Sequence, residues 1–230
     1  MHVYSMCVVL CLATYTVHGR HVGSCSGITF VTRAQWGARE PKSTADINVP
    51  VPEFFVHHTD THECFNISVC SAMMRGIQDF HMDVRKWDDI GYNFLVGEDG
   101  NVYEGRGWTH VGAQVKGYNS KSFGTSIIGN YTNILPNVKA LSALKSLLEC
   151  GVELGTISPK YRLYGHRDAR HTTECPGDVL YNAIRRWPHY SHEPPQNASL
   201  QAFTATSAPG ARLHTFDWRL VLGCLLLCCQ

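Results

Sequence analysis

Cysteine placement constrains this chain more than any other feature. Ten cysteines occur in 230 residues. Cys7 and Cys11 sit in an apolar N-terminal stretch, and Cys224, Cys228 and Cys229 in an apolar C-terminal one. The body between them keeps Cys25, Cys64, Cys70, Cys150 and Cys175. In an oxidising compartment an odd set leaves one thiol over. Cys64 and Cys70 are near enough in sequence to close a small loop at a helix start. Cys25 and Cys150 can tie the N-terminus to a later helix. Cys175 then remains as a free thiol, an intermolecular bridge or a metal thiolate.

The two ends of the chain speak to the compartment. The N-terminus reads "MHVYSMCVVLCLATYTVHG". Its apolar run is too short to span a bilayer, and Val17 and Gly19 are placed for signal-peptidase cleavage, so residues 1–19 are expected to be a secretion signal rather than a buried strand. Sequons at Asn66, Asn130 and Asn197 fit the same compartment as glycosylation sites. The C-terminal run "LVLGCLLLCC" falls short of the about 20 residues a spanning helix needs. It follows a mixed spacer and the small residues "TSAPGA", with Ser207 or Gly210 available for attachment. That layout marks residues 220–230 as a candidate GPI-anchor signal and so implies membrane attachment; a merely sticky tail is the plain alternative. Residues 191–219 are rich in Pro, Ser, Thr, Ala and Gln and are expected to form a disordered stalk. A net charge of +1 carries no footprint of nucleic-acid binding.

Residues 25–190 form the folded body. "VPEFFVHH" reads as a buried strand, "GTSIIGNY" and "YRLYG" as two more, and "YNFLVGEDGNVYEG" as a hairpin around Asp99-Gly100. "ISVCSAMMRGIQDFHMD" places Val69, Ala72, Met73, Ile77 and Phe80 on one helical face. A second helix carries Val138, Leu141, Leu144, Leu148 and Val152 and stops at Gly155. A third begins at Pro176 and turns Val179, Leu180, Ile184 and Trp187 inward. Strands alternating with helices predict an α/β fold, a central mixed β-sheet flanked by helices.

A catalytic zinc takes three protein ligands and keeps one open position. His57 ends a predicted strand, His166 follows another, and Cys175 precedes a helix, where a thiolate is favoured. Most of the 13 histidines must be surface or satisfied core residues. No Glu stands in an HExxH frame, which argues against that class of zinc peptidase.

The stretches "TRAQWGAREP", "FFVHHTDTHEC", "WDDIGYNFLVGEDGNVYEGRGW", "VGAQVKGYNSKSFGTSIIGNY", "LLECGVELG" and "YGHRDARHTTECPGDVLYNAIRRWPHY" resemble, in order, the peptidoglycan recognition proteins, relatives of the phage-type N-acetylmuramoyl-L-alanine amidases. The resemblance covers nearly all of residues 32–190. It implies the disulfides Cys64–Cys70 and Cys25–Cys150. It implies zinc (Zn2+) held by His57, His166 and Cys175, the last being commonly Ser in members that bind without cleaving. It also implies roles at the reaction for Tyr92 and Thr173. The expected substrate is the amide between the lactyl group of N-acetylmuramic acid and L-alanine in bacterial peptidoglycan. The groove is expected to use His58, Trp87 and the Arg106 to His110 region, including Thr109 and His110. The expected protein is an extracellular zinc amidase, with a non-catalytic peptidoglycan receptor at the cell surface as the alternative.

Three departures stand out. His166 and Cys175 are nine positions apart, one more than usual, with the extra residue in "RHTTE". A loop is expected to absorb it; otherwise Thr172 or His171 would stand where Thr173 belongs, or His171 would approach the metal. Gln114 replaces a common His, and Thr109-His110 fits neither familiar stem-type pattern.

Overall fold

Short apolar runs become the strands of one six-stranded sheet in this computed structural model, which describes residues 23–196. The expected signal peptide, Asn197, all of the predicted stalk beyond residue 196 and the 220–230 tail lie outside the described residues. The fold below belongs to a unit ending at Pro194. The strands are β1 (Phe30–Val31), β2 (Val51–His58), β3 (Phe94–Val96), β4 (Val102–Glu104), β5 (Ser122–Ile127) and β6 (Ile157–Gly165). Their order is β1-β4-β3-β5-β2-β6. Only the β3–β4 pair, around Asp99-Gly100, is antiparallel; the other pairs are parallel. The predicted mixed sheet is therefore present. Central parallel strands are covered on both faces and need apolar side chains on both. Accordingly, every β2 residue except Pro52 is buried.

The helices are α1 (Arg33–Trp36), α2 (Ile67–Asp79), α3 (Val138–Glu153), α4 (His166–Ala169) and α5 (Asp178–Ile184). Thr32 and Gln35 close a capping box on α1. Asn66 and Asn137 accept from Val69 and Ala140 backbone N–H groups and so cap α2 and α3. α2 runs on into a π-helical turn, Phe80–Val84. Among the described residues no helix is long and apolar enough to cross a membrane.

Each face of the sheet has its own core. On one, Phe54, Val56, Phe94 and Phe123 meet Leu144, Leu147 and Leu148 of α3 and Leu180 and Ile184 of α5. On the other, Leu95 and Tyr103 meet Trp36, Met74 and Ile90. Cys64 joins Cys70 in this second core, and Cys25 joins Cys150 to tie the N-terminal turn to α3. Both expected pairings are present, and Cys175 is the free, buried thiol among the described residues.

Two helix faces differ from the prediction. In α2 the buried side is Cys70, Ser71, Met74 and Gln78, whereas Val69 and Phe80 are exposed and Met73 and Ile77 only partly buried. Of the predicted apolar face, Met73, Ile77 and Phe80 border a cleft. In α3 Leu144 and Leu148 are buried as expected, but Val138 is 83% exposed and Ala140, Ala143 and Leu147 share the core. α5 starts at Asp178, two residues after Pro176, with Leu180 and Ile184 inward.

Candidate metal centre

Two strands and one loop deliver the three candidate ligands. His57 stands next to last in β2, in register with Ser126 of β5. Side chains alternate along a strand, so His57 and His58 face opposite ways. His166 opens α4 directly after β6. This junction is tight: a Cβ on Gly165 would lie 2.8 Å from Tyr181 and 3.1 Å from Pro176, so the chain can bring His166 in only with glycine there. Cys175 comes from the following loop. Gly177, at φ 89°, turns that loop so closely over Tyr131 that a side chain would clash with its backbone.

Ligand atoms of His57, His166 and Cys175 all lie within 4.8 Å of one another. Cys175 Sγ is 3.6 Å from His57 Nδ1, and the two imidazole rings are 4.6 Å apart between centroids. A tetrahedral zinc with ordinary bond lengths separates N and S ligands by about 3.6 Å. The electrostatics agree. Burial, then the neighbouring His166 and His58, holds His57 well below the ordinary imidazole range. Burial, then Arg170 and His58, holds His166 down to about 4. Both rings are thus neutral and offer lone pairs. Burial pushes the Cys175 thiol up to about 12, against an opposing backbone N–H of His58. Such a thiol ionises readily only beside a cation. His57 Nε2 is also buried without a hydrogen-bond partner. Two neutral imidazoles and one unpaired thiol beside the cleft are a donor set that suits zinc.

The loop carrying Cys175 is fastened to the strand end carrying His166. Arg167 backbone N–H donates to Cys175 O at 3.0 Å. Its guanidinium donates to Glu174 O and pairs with Asp178 at 2.6 Å. It also lies 4.7 Å from the Tyr181 ring centroid. Asp168 accepts from Gly165 N–H at 2.7 Å and from the hydroxyls of Tyr181 and Tyr190. The residue that lengthens the His166–Cys175 spacing falls where His171 and Thr172 form an exposed turn. The turn absorbs it, and His171 is not among the ligand cluster.

Beside the ligands lies a cleft of about 860 Å³. His57, His166, Tyr92 and Trp87 line it. The Tyr92 ring sits 5.3 Å from His57, and burial, with Cys175 adding, holds its hydroxyl above the ordinary range, so it stays protonated. His81 packs on Trp87 at 4.7 Å; its Nδ1 accepts from Gly91 N–H, which leaves Nε2 as the donor. Burial, then Arg85 and Arg106, lowers its pKa to about 4.

Other expected groove residues stand elsewhere. His58 Nδ1 accepts from Tyr131 N–H at 3.3 Å on the far side of β2, and His58 N–H points to Cys175 Sγ at 3.4 Å, so its place is in supporting the thiol. Arg106 donates to the backbone carbonyls of Ile90 and Val111 and braces the loop. Thr109 is exposed outside the cleft, and His110 Nδ1 lies 3.4 Å from Asp46. The Thr173 hydroxyl accepts from Cys175 N–H at 3.2 Å and borders a separate polar cavity of about 430 Å³ with His171. The cleft wall that motif reading missed comes from Met73, Ile77, Phe80 and Arg85 along α2 and its π-turn, from Thr59 and Thr61 after β2, and from Lys116 and Asn119, with Gln114, the departure from the family motif, beside them. The α2 stripe was legible as periodicity, but periodicity does not distinguish a core face from a cleft face. Asn66 and Asn130 are both exposed.

Comparison with known proteins agrees with this geometry. A profile of the N-acetylmuramoyl-L-alanine amidase family matches residues 48–178. The chain is 45% identical over 163 residues to the N-acetylmuramoyl-L-alanine amidase of Mus musculus, covering 69% of this chain but only 31% of that protein. It is likewise 45% identical over 160 residues to the peptidoglycan recognition protein of Trichoplusia ni, covering 70% of this chain and 87% of that one. Among solved structures, the ectodomain complex of peptidoglycan recognition proteins LCa and LCx bound to tracheal cytotoxin is similar with TM-score 0.71 and 47% identity, over 72% of this chain and 100% of that one.

Proposed function

Because the chain belongs to the N-acetylmuramoyl-L-alanine amidase family and, within it, to the peptidoglycan recognition proteins, we propose that it is an extracellular zinc amidase. Its reaction is hydrolysis of the lactyl–L-alanine amide of bacterial peptidoglycan. One observation carries the reading: an unpaired, buried Cys175 thiol whose ligand atom lies within 4.8 Å of those of two neutral imidazoles. Two disulfides support secretion, since they persist in oxidising compartments. Glycosylation at Asn66, Asn130 and Asn197 and a lipid anchor at the C-terminus belong to the same proposal.

When bound, zinc supplies Lewis acidity toward a carbonyl and makes water acidic enough to act near neutral pH. His57, His166 and Cys175 would hold it. The remaining work falls to the chain. Tyr92, protonated and beside His57, donates to the scissile carbonyl oxygen as negative charge builds on it. Trp87 and the Met73, Ile77 and Phe80 side chains give the glycopeptide an apolar wall, while Gln114 and Asn119 supply polar groups that orient it. Tyr181 and Tyr190 hold Asp168, and Asp168 holds the Gly165 N–H next to His166, so that the ring keeps its direction.

The alternative is a peptidoglycan receptor that uses the cleft without cleavage. The observation in its favour is the Thr173 hydroxyl, engaged with Cys175 N–H and outside the cleft, so Tyr92 stands without that second donor. The two are separated by incubating the full chain with purified peptidoglycan, with and without a chelator, and weighing the released stem peptides by mass spectrometry. Chelator-sensitive release is expected; binding without release would establish the receptor instead.

A further inference from the structure

One short loop turns its apolar side chains outward. The Cys64–Cys70 disulfide closes it, with the two Cα atoms 5.1 Å apart and both cysteines buried. Every residue between them is exposed. Phe65 is 67% exposed, Ile67 50% and Val69 45%. None of the three lines the cleft. Because the disulfide draws the ends of the loop together, these side chains share one small area of surface. Apolar groups gathered in water give up the free energy of burial and favour association. The same loop holds a means of covering them, since the sequon Asn66-Ile67-Ser68 lies wholly within it. The Asn66 side chain divides its work. Its Oδ1 caps α2 by accepting from Val69 N–H at 3.0 Å, whereas its exposed Nδ2 has no hydrogen-bond partner among the described residues. The second described sequon differs: Asn130 Nδ2 donates to Asp60 at 2.6 Å, and its apolar member, Tyr131, is fully buried and needs no cover.

Resting on the secretion reading above, we propose that Asn66 carries an N-linked oligosaccharide whose role is to cover Phe65 and its apolar neighbours. In the attachment, Nδ2 bonds to the anomeric carbon of a polyprenyl-diphosphate-linked oligosaccharide. The bond from that carbon to the diphosphate oxygen breaks, the polyprenyl diphosphate leaves, and Nδ2 gives up one proton. Oδ1 takes no part, so the cap on α2 survives the modification. The sugar chain is bulky and polar, stands at the surface and raises solubility there. It sits on the loop and not on the residues that line the cleft, so the groove stays open.

The full chain exported from insect cells tests this. The proteolytic peptide containing Asn66 is weighed before and after enzymatic removal of N-glycans, and the mass of an attached oligosaccharide is expected. Ser68→Ala then abolishes the sequon while leaving the Asn66–Val69 cap in place. That chain is expected to gain fluorescence from a hydrophobic dye and to lose monomer to larger species in light scattering. Adding Phe65→Ser restores the monomer, whereas Ser68→Thr, which keeps the sequon, behaves as the parent does. Three results overturn this inference and leave the amidase reading intact: an unmodified Asn66 on exported protein, a Ser68→Ala chain as monomeric and dye-silent as the parent, or association that persists after Phe65→Ser. A chain that stays in the cytosol overturns the secretion reading and the inference with it.

Discussion

His57 and Cys175 reach the same point by opposite means. His57 sits on β2, the strand between β5 and β6, with paired backbone on both sides and buried neighbours along its length. Its position is set by sheet register, and moving it means moving the core. Cys175 sits on a loop that leaves α4, makes an exposed turn at His171 and Thr172, and is recaptured by Arg167 and by the approach of Gly177 to Tyr131. Its position is set by a few polar contacts and one close backbone passage. The strand fixes where the site is, and the loop decides whether it is complete. A loop can take an extra residue without disturbing its ends, provided the ends are clamped. That is how nine positions between His166 and Cys175 still leave the ligands together.

Substitutions at four positions break or sharpen this contrast. The largest effect is expected from Cys175→Ser on the loop side. A hydroxyl is a poor zinc ligand at neutral pH, so the bound metal and amide hydrolysis should be lost together, by more than about 100-fold, while circular dichroism stays native. Metal content by mass spectrometry, read beside turnover, checks it; retained turnover would move the site elsewhere. On the strand side Phe54→Ala should cost about 3–5 kcal/mol by leaving a cavity in the fully buried core of β2, seen as a lower urea midpoint with unchanged slope. Arg167→Ala should lower zinc affinity about tenfold by releasing the Cys175 loop, with Arg167→Lys recovering little because an ammonium cannot reproduce the forked contacts. Chelator competition measures both. The smallest effect belongs to His171→Ala: an exposed turn residue outside the ligand cluster should change stability by less than about 0.5 kcal/mol and zinc affinity not at all. A large loss there would mean that the turn is part of the site.

Much of the sheet was legible because buried parallel strands advertise themselves. "VPEFFVHH" carries so little polar interruption that its bounds as a strand match β2 from Val51 to His58. Asp99-Gly100 marked the antiparallel pair, with Gly100 at φ 85° as the turn requires. Cysteine counting left Cys175 unpaired, and the structure keeps it so. The α2 stripe did not announce which way it faces, for a physical reason. Met73, Ile77 and Phe80 repeat at helical spacing as a core face does, yet that face borders the cleft, and the true core side is the less apolar Cys70, Ser71, Met74 and Gln78. Gln78 is tolerated there because its amide bonds Arg39 and Asp89, contacts that no local pattern announces. The family resemblance implied a groove place for His58 and a role at the reaction for Thr173. Strand alternation sends the first to the far side of the sheet, and a backbone hydrogen bond holds the second in another cavity.

By itself the sequence determined the donor chemistry: which histidines end strands, which cysteine lacks a partner, and which segments alternate as an α/β fold. These are properties of residue type and local period, and they need no neighbours. Only the tertiary structure decided which of those groups share a point in space, which way each side chain turns, and that the cleft beside them is walled by Met73, Ile77 and Phe80. Proximity and exposure are sums over segments far apart in the chain, and only the packed sheet brings those segments together.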